Sequence, residues 1–312
     1  MKKRKGVVLI AVIGFLVLIT GAAIQMHAVC TRWLDDTIAS TTLVRSRSLA
    51  EAGVATACLI LDRDSTIVDW LGESWAQPHV YEIGGHTVSV RIEDLNARLN
   101  LAAIFTRQGQ LNTVLKNLFG NLLALLGAPS HLMDCFLDWT DADRMPRLNG
   151  AEDEYYGALP VPYRCPNRTI RSTEELRLIK EFTPEILDGN DEEQKAGLLD
   201  LVTADSDSTI NVNTCPGLIL RAMGFGEVQV SQILAEREER PLSDSFLISV
   251  NREAYLAFRS VIRFKSSSFL VTSEAAAPGS VGVRCRAVVE KARTAGSQSS
   301  GQRAHIVRME HL

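Results

Sequence analysis

Six carboxylates stand between residues 138 and 154: Asp138, Asp141, Asp143, Glu152, Asp153 and Glu154, in the run DWTDADRMPRLNGAEDEYYG. Like charges at this density repel, and they raise one another's affinity for protons unless a cation neutralises them. Two sources of positive charge are open to the loop. Arg144 and Arg147 lie between the two acidic groups and could hold a surface loop by salt bridges and solvent. A bound ion is the other source. All-oxygen donors with no Cys or His pair beside them suit a hard cation such as Ca²⁺ better than zinc or copper. The register is not that of an EF-hand, whose loop places its acids at alternate positions around a central glycine.

Other chemistries find less support. Paired carboxylates near Trp139, Tyr155 and Tyr156 are the ingredients of a glycosidase, but no further aromatic run offers a sugar platform. There is no GxSxG, and the six histidines are scattered. None of the six cysteines, Cys30, Cys58, Cys135, Cys165, Cys215 and Cys285, falls in a CxxC pair. That argues against a zinc ribbon or a thioredoxin-type motif. Cys30 and Cys58 lie too far apart along one predicted helix to bond to each other. Cys135 and Cys165 flank the acidic loop and are the pair best placed to bond in an oxidising compartment. Net charge is −4, which gives no electrostatic reason to expect nucleic acid. A hydrophobic content of 46% and a charged content of 22% are those of a globular chain, and 312 residues suggest about two domains.

The elements that must position the loop begin with the first thirty residues. Lys2, Lys3, Arg4 and Lys5 precede Gly6 and a long apolar run from Val7 to Cys30. The run is long enough to cross a bilayer core as a helix, with the basic flank on the cytoplasmic side. It is longer than the apolar stretch of a cleaved secretory signal. Beyond it Trp33, Leu34, Ile38, Leu43, Val44, Leu49, Val54, Cys58, Leu59 and Leu61 recur at helical spacing, with no proline before Pro78. One helix from Val7 to about Asp62 is expected, lipid-facing first and amphipathic after. Alternatively a signal anchor is followed by an ordinary helix broken at Gly53.

Residues 79–83, Gly84-Gly85 and residues 86–92 read as a β-hairpin with a two-residue turn. In the RIEDLNARLNLA run that follows, Glu93, Asp94, Arg98 and Asn100 could form a local polar network, although a solvated turn is the simpler account. Residues 111–126 and 131–139 are expected as helices, the first a core helix. Ser172-Thr-Glu-Glu175 reads as a capping box opening a helix to about Phe182, and Pro184 begins another. Thr214 is placed to cap the helix after INVNTCP, and Gly224-Phe-Gly226 to turn it into the next. That pair resembles a helix-hairpin-helix unit, yet Glu227, Glu236, Glu238 and Glu239 outnumber Arg237 and Arg240, the wrong balance for phosphate. Strands are expected at residues 261–264, 268–272, 281–289 and 305–309, with a turn at 277–280 and a loop at 297–301.

A basic leader, Gly6 and a long apolar helix resemble the start of a type IV prepilin. The resemblance implies cleavage between Gly6 and Val7 by a prepilin peptidase, with the helix retained. Most pilins carry Glu at the fifth mature position, and here Ala11 stands there. Its absence is characteristic of the minor pseudopilin K family of type II secretion. The DWTDAD, GAEDEYY and PYRCPN runs and the INVNT run resemble that family's signatures, and the likeness extends over essentially the whole chain. It implies an α+β, pilin-like fold: a long N-terminal helix plus antiparallel sheet, with a large inserted all-α domain containing the helix-hairpin-helix-like unit. The implied segments are 1–6 leader, 7–29 transmembrane half-helix, 30–95 amphipathic helix and first strands, 96–260 insertion and 261–312 closing strands. It further implies a structural calcium ion on Asp138, Asp141, Asp143, Glu152 and Asp153, and no enzymatic activity. Localisation would be the inner membrane, with the bulk periplasmic. The partners would be minor pseudopilins I and J at a pseudopilus tip, with secreted substrate and the assembly platform as further contacts and no nucleic acid. Two other functions are consistent with parts of the chain: an anchored helix-hairpin-helix protein of DNA uptake, and a periplasmic hydrolase on a signal anchor.

Overall fold

The computed structural model describes residues 3–64, 66–106, 108–190, 195–291 and 304–312, without the side chains of residues 3–6. The loop expected at residues 297–301 lies outside them. A single helix, α1 (Lys3–Arg63), opens the chain over 61 residues. It is roughly 90 Å long at ~1.5 Å per residue. Its first half is exposed, and it is the one described helix long and apolar enough to cross a membrane. In the second half Ala50, Val54, Ala57 and Leu61, spaced by four, three and four, are buried. They line one face of the helix and pack on Val88, Val90, Phe269, Val271, Ala287 and Val289 of the sheet. Gly53 does not break the helix. A Cβ there would stand 2.1 Å from Ser273 Oγ, so the glycine permits a close approach of helix to sheet.

The sheet has five antiparallel strands in chain order: β1 (His79–Ile83), β2 (His86–Asp94), β3 (Ser268–Ala276), β4 (Val283–Lys291) and β5 (Ala304–His311). The expected hairpin joins β1 and β2, with Ile83 opposite His86. Gly84 and Gly85 supply the positive φ angles of its turn, +56° and +79°. In β2 the pattern alternates strictly: Val88, Val90 and Ile92 face α1, with Thr87, Ser89 and Arg91 outward. The meander is interrupted between β2 and β3, which are neighbours inside the sheet, where residues 95–267 are inserted. β2 and β3 pair nonetheless, from Thr87↔Ala276 to Asp94↔Phe269.

The insertion buries its own core around Leu118, Phe119, Leu122, Phe136, Trp139 and Tyr156. Its main helices are α2 (Thr113–Leu125), α3 (Leu132–Thr140), α4 (Asp153–Gly157), α5 (Gly217–Ala222), α6 (Glu227–Glu239) and α7 (Asp244–Phe258), the last kinked at Asn251. It also contains two-residue parallel pairings of Leu99–Asn100 with Val202–Thr203 and of Ile210–Asn211 with Ile262–Arg263. The helix expected after Ser172 is instead a short 3₁₀ segment, Thr173–Leu178. The capping box does not close, because the Glu175 carboxylate accepts from Arg171 N–H (3.0 Å). Glu181, at φ +65°, then bends the chain away.

Candidate functional site

The acidic loop starts where α3 stops. Asp138 lies fully buried on the last turn of α3, and the chain folds back over it at Gly150. A Cβ on Gly150 would be 1.7 Å from Asp138 Oδ2, so a larger residue would displace the loop. Arg147 enters the same space. Its backbone N–H donates to Asp138 Oδ2 (3.0 Å), and its guanidinium donates to Asp138 Oδ1 and Asp141 Oδ2, each at 2.6 Å. One arginine thus compensates two of the six carboxylates.

The acids divide, and Asp141 belongs to both groups. Carboxylate oxygens of Asp141, Asp143 and Glu152 all lie within 4.8 Å of one another. Asp141 Oδ1 and both oxygens of Glu152 are buried without a hydrogen-bond partner, as is Asn167 Oδ1. Burial raises the affinity of Asp141 for protons against the opposing Arg147, and burial does the same for Glu152 against the neighbouring Asn167 and Cys165 side chains. Asp153 is turned elsewhere, accepting from Cys165 N–H at 2.9 Å. Of the five residues named from the sequence, the structure therefore groups three, leaves Asp138 with Arg147, and gives Asp153 to a backbone amide. Asn167 was not singled out in the sequence, although PYRCPN carries it. Its side-chain amide donates to Asp143 O, which ties the PYRCPN run to the acidic loop.

Three clustered oxygens-only side chains, with buried orphaned acceptors, fit a hard divalent cation that takes six to eight oxygen ligands. An unpaired buried carboxylate is otherwise costly. Aromatic rings back the loop: Trp139 meets Tyr156 edge-on at 5.1 Å, and Tyr156 stacks on Tyr163 at 5.3 Å. The expected Cys135–Cys165 bond is not formed. Both are buried free thiols, donating to Asn149 O (3.3 Å) and Asp138 O (3.5 Å) respectively.

A second polar cluster joins insertion to sheet. Asp94, at the end of β2, is buried, and its carboxylate accepts from Asn96 N–H (2.7 Å), Thr214 Oγ1 (2.6 Å), Ser266 Oγ (2.5 Å) and Asn211 Nδ2 (3.1 Å). This corrects two expectations. The residues after β2 are not a solvated turn, and Thr214 does not cap the following helix, whose first turn begins at Gly217 behind Pro216. The INVNT run is a set of inward-facing polar side chains: Asn213 Oδ1 also accepts from Leu242 N–H (2.8 Å). Glu93 and Arg98 do form the local pair, at 3.2 Å. Beside this joint Lys291 Nζ, 3% exposed, reaches Asp64 Oδ2 (2.7 Å) and Asp69 Oδ1 (3.1 Å). The helix-hairpin-helix-like unit is present as α5, the turn at Gly224 (φ +92°) and α6.

A stem helix laid on an antiparallel sheet, with a helical domain opened between two of its strands, is a pilin-like fold carrying an insertion. The sequence comparisons narrow the class. Residues 97–189 match the family model of the first domain of type II secretion system protein K. The chain is 32% identical over 201 residues to the type II secretion system protein K of Pectobacterium carotovorum, which is 58% of each chain. It is 36% identical over 165 residues to that of Pseudomonas aeruginosa, covering 50% of this chain and 46% of the relative. The matches thus span about half the length of these relatives. Among solved structures, a chain of the GspK-GspI-GspJ complex from enterotoxigenic Escherichia coli shares the fold, with a TM-score of 0.68 and 18% identity over 88% of this chain and 98% of that one. This chain is similar, over part of its length, to protein K of type II secretion systems.

Proposed function

We propose that the protein is a non-enzymatic minor pseudopilin of a type II secretion system. It would be made as a prepilin, cut between Gly6 and Val7, and held in the inner membrane by the first half of α1, with the sheet and insertion periplasmic. The observation that carries the reading is the split sheet on a 61-residue stem, with the protein K match lying within the insertion. The solved neighbour is a chain of a GspK-GspI-GspJ complex, and pseudopilins I and J are the partners proposed here. A bulky insertion suits the tip, since it would obstruct subunits stacked above it. The alternative of nucleic-acid binding through α5 and α6 gains nothing from the acidic flank of α6. The test is peptide mapping of the N-terminus from the native membrane, with mass spectrometry of co-isolated subunits. A chain starting at Val7 that brings down pseudopilins I and J is the expected result. An intact Lys2, or a cut beyond Ala22, overturns the proposal.

We also propose a structural calcium ion in the acidic loop, on Asp141, Asp143 and Glu152. Asp138 would support it through Arg147, and Asp153 by fixing the start of α4. The support is the orphaned buried oxygens of Asp141 and Glu152. With calcium at about a hundredfold over its dissociation constant, mass action adds about 2.7 kcal/mol to stability. Unfolding midpoints with calcium and with chelator are the measurement. Midpoints that do not differ, or a shift retained in Glu152→Gln, remove the ion.

A further inference from the structure

The sheet is incomplete along the outer edge of β2. β1 pairs with β2 only from His86 to Val90, while β3 lines the opposite edge of β2 as far as Asp94. Antiparallel partners alternate in the direction of their backbone hydrogen bonds. Ile83 and His86 close the two-residue turn, so residues 86, 88 and 90 of β2 turn N–H and C=O toward β1. Ile92 is next in that series and has no strand opposite it. Neither of its backbone groups has a hydrogen-bond partner among the described residues. β1 cannot extend to close the gap. Pro78 has no N–H to give, and before it the 3₁₀ turn Ser74–Ala76 takes the chain off the strand line. Trp75 in that turn is buried and meets Phe269 edge-on at 5.2 Å, which fixes the wall.

The gap opens into a cleft of about 380 Å³ where head and insertion meet. Leu71, Ala76, Pro78 and Pro216 give it apolar walls, and Arg91 and Arg98 line it with positive charge. Three acids line it too, and each is committed. Glu93 pairs with Arg98 at 3.2 Å, Asp94 holds the buried joint, and Asp200 accepts from Gly197 N–H at 3.1 Å. Arg91 is exposed, and its guanidinium has no partner among the described residues. An open sheet edge is a template for another strand. We propose that this cleft binds an extended peptide segment of another protein, one that carries a carboxylate. Ile92 N–H donates to a carbonyl oxygen of the segment and Ile92 C=O accepts from one of its N–H groups, so the segment continues the line of β1 along β2. Arg91 donates to the carboxylate, a stronger pairing than a neutral hydrogen bond. Apolar side chains of the segment rest on Leu71, Pro78 and Pro216. In this mode main-chain pairing supplies affinity and side-chain contacts supply selectivity. Charge decides the occupant, because the uncommitted ionic group in the cleft is a cation and a basic segment would be repelled.

The test uses the full-length protein in detergent, followed by hydrogen exchange at single-residue resolution. In the free protein the Ile92 amide should exchange faster than those of Arg91 and Glu93, which face β3. The probe is a short end-blocked peptide of alternating Val and Thr around a central Asp. It should bind and slow exchange at Ile92. Replacing its Asp by Asn should weaken binding about tenfold, since hydrogen bonds between charged groups are worth that much. Arg91→Ala should weaken the Asp peptide by the same factor, leave the Asn peptide nearly unaffected, and leave the unfolding midpoint unchanged. N-methylation of the peptide backbone should abolish binding. An Ile92 amide already as slow as its neighbours means that the edge is closed, and overturns the proposal. So does absence of binding, equal binding of the Asp and Asn peptides, or undiminished binding of the N-methylated one. Protection of Ile92 that rises with protein concentration alone would place a second copy of this chain in the cleft and overturn it as well. The pseudopilin reading stands or falls separately from each of these outcomes.

Discussion

Lys291 is a buried cation at the foot of the stem, and its surroundings set a pH dependence. Asp64 and Asp69 hold it at 2.7 and 3.1 Å, and its ammonium also sits 5.1 Å over the Phe269 ring. Burial pushes Asp69 up to about 6 despite Lys291, while at Asp64 hydrogen bonds from Lys291 and Thr66 outweigh burial and hold it down to about 2. The two therefore act in opposite directions. The raised Asp69 contributes stability that is full below its ordinary value of 3.8 and is lost as pH rises through about 6. The lowered Asp64 contributes stability above its ordinary value, lost as pH falls through about 2. Asp69→Asn should then flatten the fall in stability between pH 4 and 7 relative to wild type, by about 2 kcal/mol on the usual scale of ~1.4 kcal/mol per unit. Chemical denaturation across that range measures the difference; parallel curves would show that Asp69 is ionised throughout. None of this was legible in the sequence, because Asp64 and Lys291 meet only through the topology. The acidic loop was legible, since its acids are neighbours in the chain. The division of labour within it was not. Arg147 could pair with any of the acids, and Asp153 looks like Glu152 until α4 turns it toward Cys165.

At the scale of elements, Gly53 tests how closely α1 lies on the sheet. In an exposed helix, Ala in place of Gly gains up to about 1 kcal/mol. Here the new Cβ would meet Ser273 Oγ at 2.1 Å, Val90 Cγ2 at 3.0 Å and Ser273 Cβ at 3.1 Å. Overpacking of that kind costs about 1–3 kcal/mol, so the clash outweighs the propensity and Gly53→Ala should lower stability by about 1–2 kcal/mol. Ser273 Oγ is buried without a partner, so Ser273→Ala alone should cost little. Adding it to Gly53→Ala removes the worst contact and should restore most of the loss, measured as midpoints of the two single variants and the double. If the double variant is no better than Gly53→Ala, the clash lies with Val90 and the backbone instead. The helix itself was readable from its spacing, with a break at Gly53 only the alternative; what Gly53 does was not readable, because a glycine inside a helix shows its partner only when the sheet is in place. The hairpin was readable for the opposite reason: its two glycines meet a local demand for positive φ. The capping box at Ser172 failed because Glu175 had a competing donor at Arg171.

Over the whole molecule, the decisive feature is that the insertion is not tethered by two flexible linkers. Its entry and exit are β2 and β3, adjacent strands inside the sheet, and Asp94 closes the gap between them. That carboxylate collects hydroxyls from Thr214 and Ser266, the side-chain amide of Asn211 and the Asn96 N–H. Asn211 in turn donates to Asp69 O (2.9 Å), and Ser266 N–H to Asp69 Oδ2 (2.7 Å), which carries the network to the foot of α1. Stem, sheet and insertion therefore share one buried polar joint. Its residues were visible as the EDLNARLN and INVNT runs, but their inward direction was not, since polar side chains in a short run read as solvated until their partners arrive from far along the chain. The joint predicts that head and insertion unfold together. Asp94→Ala leaves the Ser266 hydroxyl and the Asn96 N–H without their acceptor, while Asn211 keeps Asp69 O and Thr214 keeps Asn211 O; a buried orphaned donor costs ~1–3 kcal/mol, and relaxation of the cavity with entry of water offsets part of that. A net loss of roughly 3 kcal/mol is expected, against about 1 kcal/mol for Ser266→Ala, which removes one donor. Hydrogen exchange gives the readout that stability alone cannot. In the wild type, amides of β2, β3, α2 and α3 should exchange at one common free energy. In Asp94→Ala, those of α2 and α3 should separate from those of β2 and β3. A uniform drop across all four elements would mean that Asp94 stabilises the fold without coupling its two parts.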